Sequence, residues 1–336
     1  MDFSPADMAR GWVKGLRAAG CEVVDFNFAD RLAFYAAAHV KRGRRWTPAF
    51  DGEGAVRLAA KGIEDACYEF WPDLVVIISG FYVPADLYGL MRARGHKVVL
   101  VCSEEPYETD RELPRAALAD IVILNDPTNL DQFRAVNPNT TYLPHAYDPD
   151  IHRPAPPTPD AASDFAFVGT GFASRVGFFE QVNWTGIDAA FAGAWQTLGE
   201  ESPLRKFVAH DLDACCPNDQ AATLYQSTKA SANLYRKETT EGGTTTGWAM
   251  SPREIELAAT GCFFLREARG EGDEVLPMLP TFTGPADFEE QLRWYLSHHE
   301  ERAAAAAASR AAIEPFTFTR NARRLLELAG AQQTGN

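Results

Sequence analysis

Arg253 and Glu256 stand three residues apart in the stretch Thr246–Leu265, TGWAMSPREIELAATGCFFL, just after residues that start a helix. A guanidinium at a helix start adds a full charge to the partial positive charge of the first backbone amides, a combination that binds phosphate. A carboxylate one turn further in is too deep to cap the helix, and it can accept hydrogen bonds from the two hydroxyls of a ribose. Arg236 and Lys237 close another apolar run in NLYRKE, and Gly169, Thr170 and Gly171 precede Arg175 in FVGTGFASR. Glycines let backbone N–H groups approach an anion. Such groups meeting at neighbouring strand ends make a diphosphate site. The same residues also fit a solvated helix start, and GTGFAS lacks the third glycine of a dinucleotide fingerprint.

The elements that must hold these residues follow from local signals. Ser251 is an N-cap, Pro252 the first helical residue and Glu254 the third position of a capping box; Gly261 ends the helix and CFFL is a buried strand from near Cys262. Helical periodicity in PADMARGWVKGLRAAG, EGAVRLAAKGIEDACYEFWPD and ADLYGLMRARG alternates with strand patterns in CEVVDFNF, LVVIISG, KVVLVCSE and ADIVILND. Continuous Val/Ile/Leu strands between helices predict a doubly wound α/β domain with a parallel sheet. The Pro- and Asp-rich segment YLPHAYDPDIHRPAPPTPDAAS interrupts the rhythm, which then resumes with DFAFVGT, IDAAFAG, AATLYQSTK and ASANLYR. The expected division is a domain over 1–150, a linker over 151–163, a second α/β domain over 164–315 and a closing helix over 316–336. Two such units imply a cleft, with ligands at the C-terminal ends of the strands.

Composition narrows the function classes. The formal net charge of −14 disfavours a protein that holds nucleic acid by bulk electrostatics. Six cysteines, Cys21, Cys67, Cys102, Cys215, Cys216 and Cys262, are scattered with no CxxC pair, so neither a zinc site nor a disulfide framework is expected. The start MDFSPADMAR has no signal character and no apolar run approaches the roughly 18–20 residues of a membrane helix, which predicts a soluble, cytoplasmic protein.

In the first domain Glu104, Glu105 and Tyr107 of CSEEPYETD follow a buried strand, and Ser79, Gly80 and Tyr82 of SGFYVP follow another, so both sets are expected to face the cleft. His145 sits at the hinge. HVKRGRRWTP is a basic run beside a tryptophan; it fits a solvated loop and would also suit a phosphate backbone.

The pattern R-x-x-E-x-x-A-x-G before a hydrophobic strand, here Arg253, Glu256, Ala259 and Gly261, resembles the nucleotide-sugar signature of group 1 glycosyltransferases. FVGTGFASR, LPHAYDPDIHRP and the closing GPADFEEQLRWYLSHHEERAAAAAASR and FTFTRNARRLLEL extend the resemblance over nearly the whole chain. The chain looks most like the spore-maturation-protein branch and its actinobacteriophage relatives. The resemblance implies a GT-B architecture: two Rossmann-like domains facing a cleft, acceptor on the N-terminal side, donor on the C-terminal side, and the closing helices packing back toward the N-terminal domain. It implies that Glu256 holds the donor ribose and that Arg175, Arg236 and Arg253 serve the diphosphate. Gly169, Thr170, Gly171, Lys237, Trp248 and Ser251 complete the expected donor site. Ser79, Tyr82, Glu104, Glu105 and Tyr107 form the acceptor site, with His145, Glu105 and Arg253 as catalytic candidates. The expected co-substrate is a nucleotide diphosphate sugar such as UDP-glucose, with no other cofactor, no metal and no membrane partner. The resemblance further implies retention of the anomeric configuration and an acceptor that is a hydroxymethylated pyrimidine in phage DNA or a phage protein, with a small molecule or a cell-envelope glycan as the alternatives.

Two departures stand out. Trp248 occupies the position of the pattern's second glutamate, and the family's opening β-strand has no counterpart before FSPADMARGW. A nucleotide-sugar epimerase, a NAD-dependent oxidoreductase and a non-catalytic nucleotide-sugar-binding module remain as rival readings.

Overall fold

A computed structural model describes residues 6–239 and 242–330. The described residues form two compact units, one of residues 8–143 and 322–330, the other of residues 6–7 and 144–321. The last residues of the expected 316–336 helix lie outside the described residues.

The N-terminal unit contains α1 (Ala6–Ala18), α2 (Phe28–Ala36), β1 (His39–Arg42), β2 (Arg45–Pro48), α3 (Gly52–Phe70), β3 (Leu74–Ile78), α4 (Ala85–Ala93), β4 (Lys97–Cys102), α5 (Thr109–Ala116), β5 (Ile121–Leu124), α6 (Leu130–Val136) and β6 (Thr140–Tyr142). Strands β3, β4, β5 and β6 form a parallel sheet in that order. Apolar side chains fill both faces of the inner strands: Val98–Val101 of β4 and Val122–Leu124 of β5 are fully buried, and Val98, Leu100, Val122 and Leu124 pack with Tyr88 and Met91 of α4 and Phe133 of α6. That burial is why these strands read as continuous apolar runs.

Residues 21–27 form no strand, contrary to the expectation for CEVVDFNF. Their alternation resembles a strand, yet Asn27 accepts from the Asp30 amide at 3.2 Å and caps α2, which turns the chain away from any ladder. HVKRGRRWTP, which fitted a solvated loop, is instead the antiparallel hairpin β1–β2, turning at Gly43 (φ 65°).

The C-terminal unit contains β7 (Ser163–Val168), α7 (Ala173–Phe179), β8 (Ala189–Ala192), α8 (Asn218–Ser227), β9 (Thr228–Asn233), α9 (Pro252–Thr260), β10 (Phe264–Glu267), α10 (Gly270–Val275), β11 (Thr281–Phe282), α11 (Pro285–Ser297) and α12 (His299–Ile313). Its parallel sheet runs β11-β10-β9-β7-β8. The chain goes from β7 to β8 on one side and then to β9 on the other, so the strand order reverses between β7 and β9. Ligands in such sheets bind outside the carboxyl ends of the strands at that reversal. Phe165, Phe167, Phe179, Phe191, Trp195 and Phe288 build an aromatic core under this point.

Helix α13 (Phe318–Leu328) carries the chain back into the N-terminal unit, where Ala322 and Leu325 are fully buried and Lys97 Nζ donates to the Ala329 carbonyl at 2.6 Å. Among the described residues no helix is long and apolar enough to cross a membrane.

Candidate functional site

Helix α9 starts as its sequence dictates. Ser251 Oγ accepts from the Glu254 amide, Glu254 Oε2 accepts from the Ser251 amide at 2.9 Å, Pro252 follows the cap, and Gly261 (φ 77°) closes the helix. The start is aimed at the strand-order reversal. Arg253 Nε donates to the Val168 carbonyl at the end of β7 (2.6 Å), and Nη1 donates to Asn233 Oδ1 at the end of β9 (2.9 Å). The guanidinium lies 4.7 Å from the centre of the Phe167 ring. Its Nη2 has no hydrogen-bond partner among the described residues, so one edge of the fork is available to a ligand. A Cβ on Gly169 would lie 2.2 Å from that Nη2, so the glycine is there to admit the arginine. Asn233, which sequence reasoning passed over, is fully buried and also takes the Ser251 hydroxyl at 2.9 Å.

The glycine loop does a different job from the expected one. The Gly169 amide donates to the Ala192 carbonyl (2.9 Å) and the Gly171 amide to that of Ala194 (2.7 Å), so neither points at an anion. Gly171 leaves room for Trp195, whose ring would sit 2.4 Å from an added Cβ. Arg175, expected on the diphosphate, is 6% exposed: Nε and Nη2 donate to the Leu234 carbonyl and Nη1 to that of Thr170. It fastens the loop to the end of β9. The Ser174 amide at the start of α7 is taken by Glu238 Oε1 at 2.9 Å. Burial pushes the Glu238 carboxyl up, but that amide bond and its neighbours hold it below its ordinary value.

Arg236 donates through Nε to the Glu238 carbonyl (2.8 Å) and lies over the Phe172 ring; Lys237 pairs with Glu267 at 2.9 Å and is half exposed. Trp248 packs on Gly270, where a Cβ would lie 2.1 Å from its Nε1, and its carbonyl accepts from the Glu271 amide at 2.9 Å. Glu256 comes one turn after Ser251, its side chain 16% exposed, with Oε1 3.9 Å from Nε2 of the buried His152. Beneath them Glu254 is fully buried. Burial pushes its carboxyl up to about 6, against the opposing hydrogen bonds from Tyr235 and Ser251.

The C-terminal unit therefore brings together Arg253, Ser251, Asn233, Gly169 and, one turn along α9, Glu256. His145 belongs to this unit and is buried. In the N-terminal unit, Ser79 ends β3 in the left-handed region (φ 57°), costly for a residue with a side chain, and its Oγ meets Ser103 Oγ at 2.6 Å. Tyr82 is exposed; Glu104 and Tyr107 are half-buried. Glu105, expected to face an acceptor, is 4% exposed, its Oε2 accepting from Thr109 Oγ1 (3.1 Å) and Asn129 Nδ2 (2.9 Å). The chain after β4 turns that side chain inward, and burial pushes its carboxyl up.

Residues 175–327 match the family described as glycosyl transferase-like. Solved structures share the fold over most of the chain at low identity. Sucrose-phosphate synthase from Thermosynechococcus elongatus is 12% identical with a TM-score of 0.57, over 84% of this chain and 79% of that one. The Anabaena protein HepE, in complex with UDP and glucose, is 12% identical with a TM-score of 0.58, over 85% and 84%. A Listeria monocytogenes protein assigned as a UDP-N-acetylglucosamine 2-epimerase is 11% identical with a TM-score of 0.53, over 83% and 80%. No curated protein sequence matches. The fold is that of the GT-B glycosyltransferases, and together with the family match it supports a glycosyltransferase.

Proposed function

We propose that the chain transfers a sugar from a nucleotide diphosphate sugar to a hydroxyl acceptor. The observation that carries this reading is Arg253: a guanidinium at the strand-order reversal with Nη2 unclaimed, and a carboxylate, Glu256, one turn further along the same helix. Arg253 Nη2 takes a diphosphate oxygen, Glu256 accepts from the ribose hydroxyls, and Arg236 and Lys237 add positive charge. As the bond between the anomeric carbon and the diphosphate breaks, the developing negative charge is held by this fixed guanidinium. The bond from the acceptor oxygen forms on the same face, with retention, and the acceptor proton goes to the departing diphosphate oxygen. Trp248 bounds the sugar side. No metal takes part in this scheme.

Uridine is our choice of base, because HepE shares the fold and was solved with UDP and glucose. The acceptor meets the N-terminal unit at Ser79, Tyr82, Glu104 and Tyr107. Hairpin β1–β2 supports a polyanionic acceptor, a hydroxymethylated pyrimidine in DNA, over a protein. The epimerase among the structures of the same fold keeps that reaction as the alternative.

The test is a thermal-shift measurement with UDP and UDP-glucose. Both raise the melting temperature of the wild type, since a ligand that binds the native state stabilises it. The shift disappears in Glu256→Ala and in Arg253→Ala. No shift with any nucleoside diphosphate overturns the reading. Stoichiometric UDP release on turnover separates a transferase from an epimerase, which returns an isomerised nucleotide sugar.

A further inference from the structure

His152 is a buried imidazole without a hydrogen bond among the described residues. It follows the turn in which the Ile151 and His152 amides donate to the Asp148 carbonyl, its side chain is 2% exposed, and among the described residues neither ring nitrogen has a hydrogen-bond partner. A neutral imidazole carries one donor and one acceptor, and leaving such groups buried and unpaired costs stability. The ring is not there by accident of a loose loop. Gln226 of α8 holds the Arg153 carbonyl at 2.7 Å, the Ser227 hydroxyl holds the Thr158 amide at 3.0 Å, and Pro154 lies against Gly261 at the end of α9. The segment that carries His152 is thus pinned to both helices beside Glu256.

Glu256 Oε1 is 3.9 Å from Nε2, just beyond hydrogen-bond range, while the rest of the carboxylate reaches solvent. Tyr225 of α8 is buried close by, and Arg253 lies on the neighbouring turn of α9. A glutamate held by its backbone alone must lose side-chain freedom when a ligand fixes it, which weakens binding. A donor waiting behind it removes that cost.

We propose that His152 is the positioning residue for Glu256: with a ribose diol on the solvent side of the carboxylate, Nε2–H donates to Oε1 and sets the plane of the carboxyl for the two hydroxyls. The inference rests on the assignment of Glu256 to the ribose. It makes the Glu–His pair a unit, so that the histidine matters to nucleotide affinity and not to the bond-breaking step.

Calorimetric titration with UDP tests it on wild type, His152→Phe, His152→Gln, Glu256→Gln and the double variant His152→Phe/Glu256→Gln. His152→Phe keeps a ring and removes the donor; it weakens UDP roughly tenfold and raises KM for the donor with kcat unchanged. His152→Gln, which keeps an N–H, recovers much of the loss. In the Glu256→Gln background His152→Phe costs less than in the wild type, because the charged acceptor is gone. Full UDP affinity in His152→Phe, or equal losses in both backgrounds, overturns the inference while leaving the ribose assignment in place. Undiminished UDP binding by Glu256→Gln overturns both. The wild type alone gives an independent readout: on UDP addition the His152 ring ¹H–¹⁵N spectrum shows its Nε2–H moving downfield, and an unmoved signal counts against the proposal.

Discussion

Glu254 has its carboxyl closed off from water, one oxygen held by Tyr235 and Ser251 and the other without a hydrogen-bond partner among the described residues. Its value of about 6 lies above the ordinary 4.5, so the unfolded chain releases the proton first as pH rises. Stability from this group is complete below pH 4.5 and is lost as pH climbs through 6, by about 2 kcal/mol in all. Glu254→Gln keeps an acceptor for Tyr235 and has no proton to lose. Its stability relative to wild type therefore rises between pH 4.5 and 7, as denaturant titrations at the two values will show; parallel pH profiles would refute the assignment. Whether a residue's role could be read from sequence depended on how far away its partner lies. Ser251, Pro252 and Glu254 answer to one another within four positions, and their box is visible in the letters. The Gly169 amide answers to Ala192 and Arg175 to Leu234, partners that become neighbours only when β8 and β9 line up beside β7. His152 lies 104 positions from Glu256 and nothing adjacent marks it.

Hairpin β1–β2 places Arg42 directly opposite Arg45 and Lys41 opposite Trp46, with Arg44 at the turn. Like charges facing each other across a ladder are destabilising, and among the described residues no carboxylate pairs with these four cations. Trp46 is 67% exposed. Three guanidiniums at the very tip suit phosphates, and an exposed indole offers a stacking face for a base. Replacing Arg42, Arg44 and Arg45 by glutamate is expected to weaken transfer to a DNA acceptor at least tenfold and to flatten its salt dependence, with donor hydrolysis unchanged. Unaltered transfer to DNA would remove the polyanionic acceptor. The hairpin could not be seen in the sequence because every side chain of β1 is exposed, leaving no alternation of apolar and polar residues. The inner strands were readable for the opposite reason, since burial on both faces leaves only Val, Ile and Leu. Residues 21–27 misled because a cap at Asn27 overrode a strand-like alternation, and one capping hydrogen bond outweighs a pattern with no ladder to join.

From residue 8 on, the chain passes from one unit to the other after Leu143 and returns after Asn321. The closing helix therefore belongs to the first unit, as the burial of Ala322 and Leu325 and the bond from Lys97 to Ala329 require. Deleting the residues from 322 on is expected to strip hydrogen-exchange protection from β4 and β5 while β7, β9 and β10 keep theirs; equal loss in both sheets would show that the units do not fold separately. This connectivity also fixes an order of events at the ribosome. Residues 144–321 are continuous and have all their strands once Phe282 has emerged, whereas the unit begun first still lacks its last helix. The half of the protein that starts last is finished first, and the half that starts first waits, with Lys97 of β4 already made and the Ala329 carbonyl it holds still to be translated.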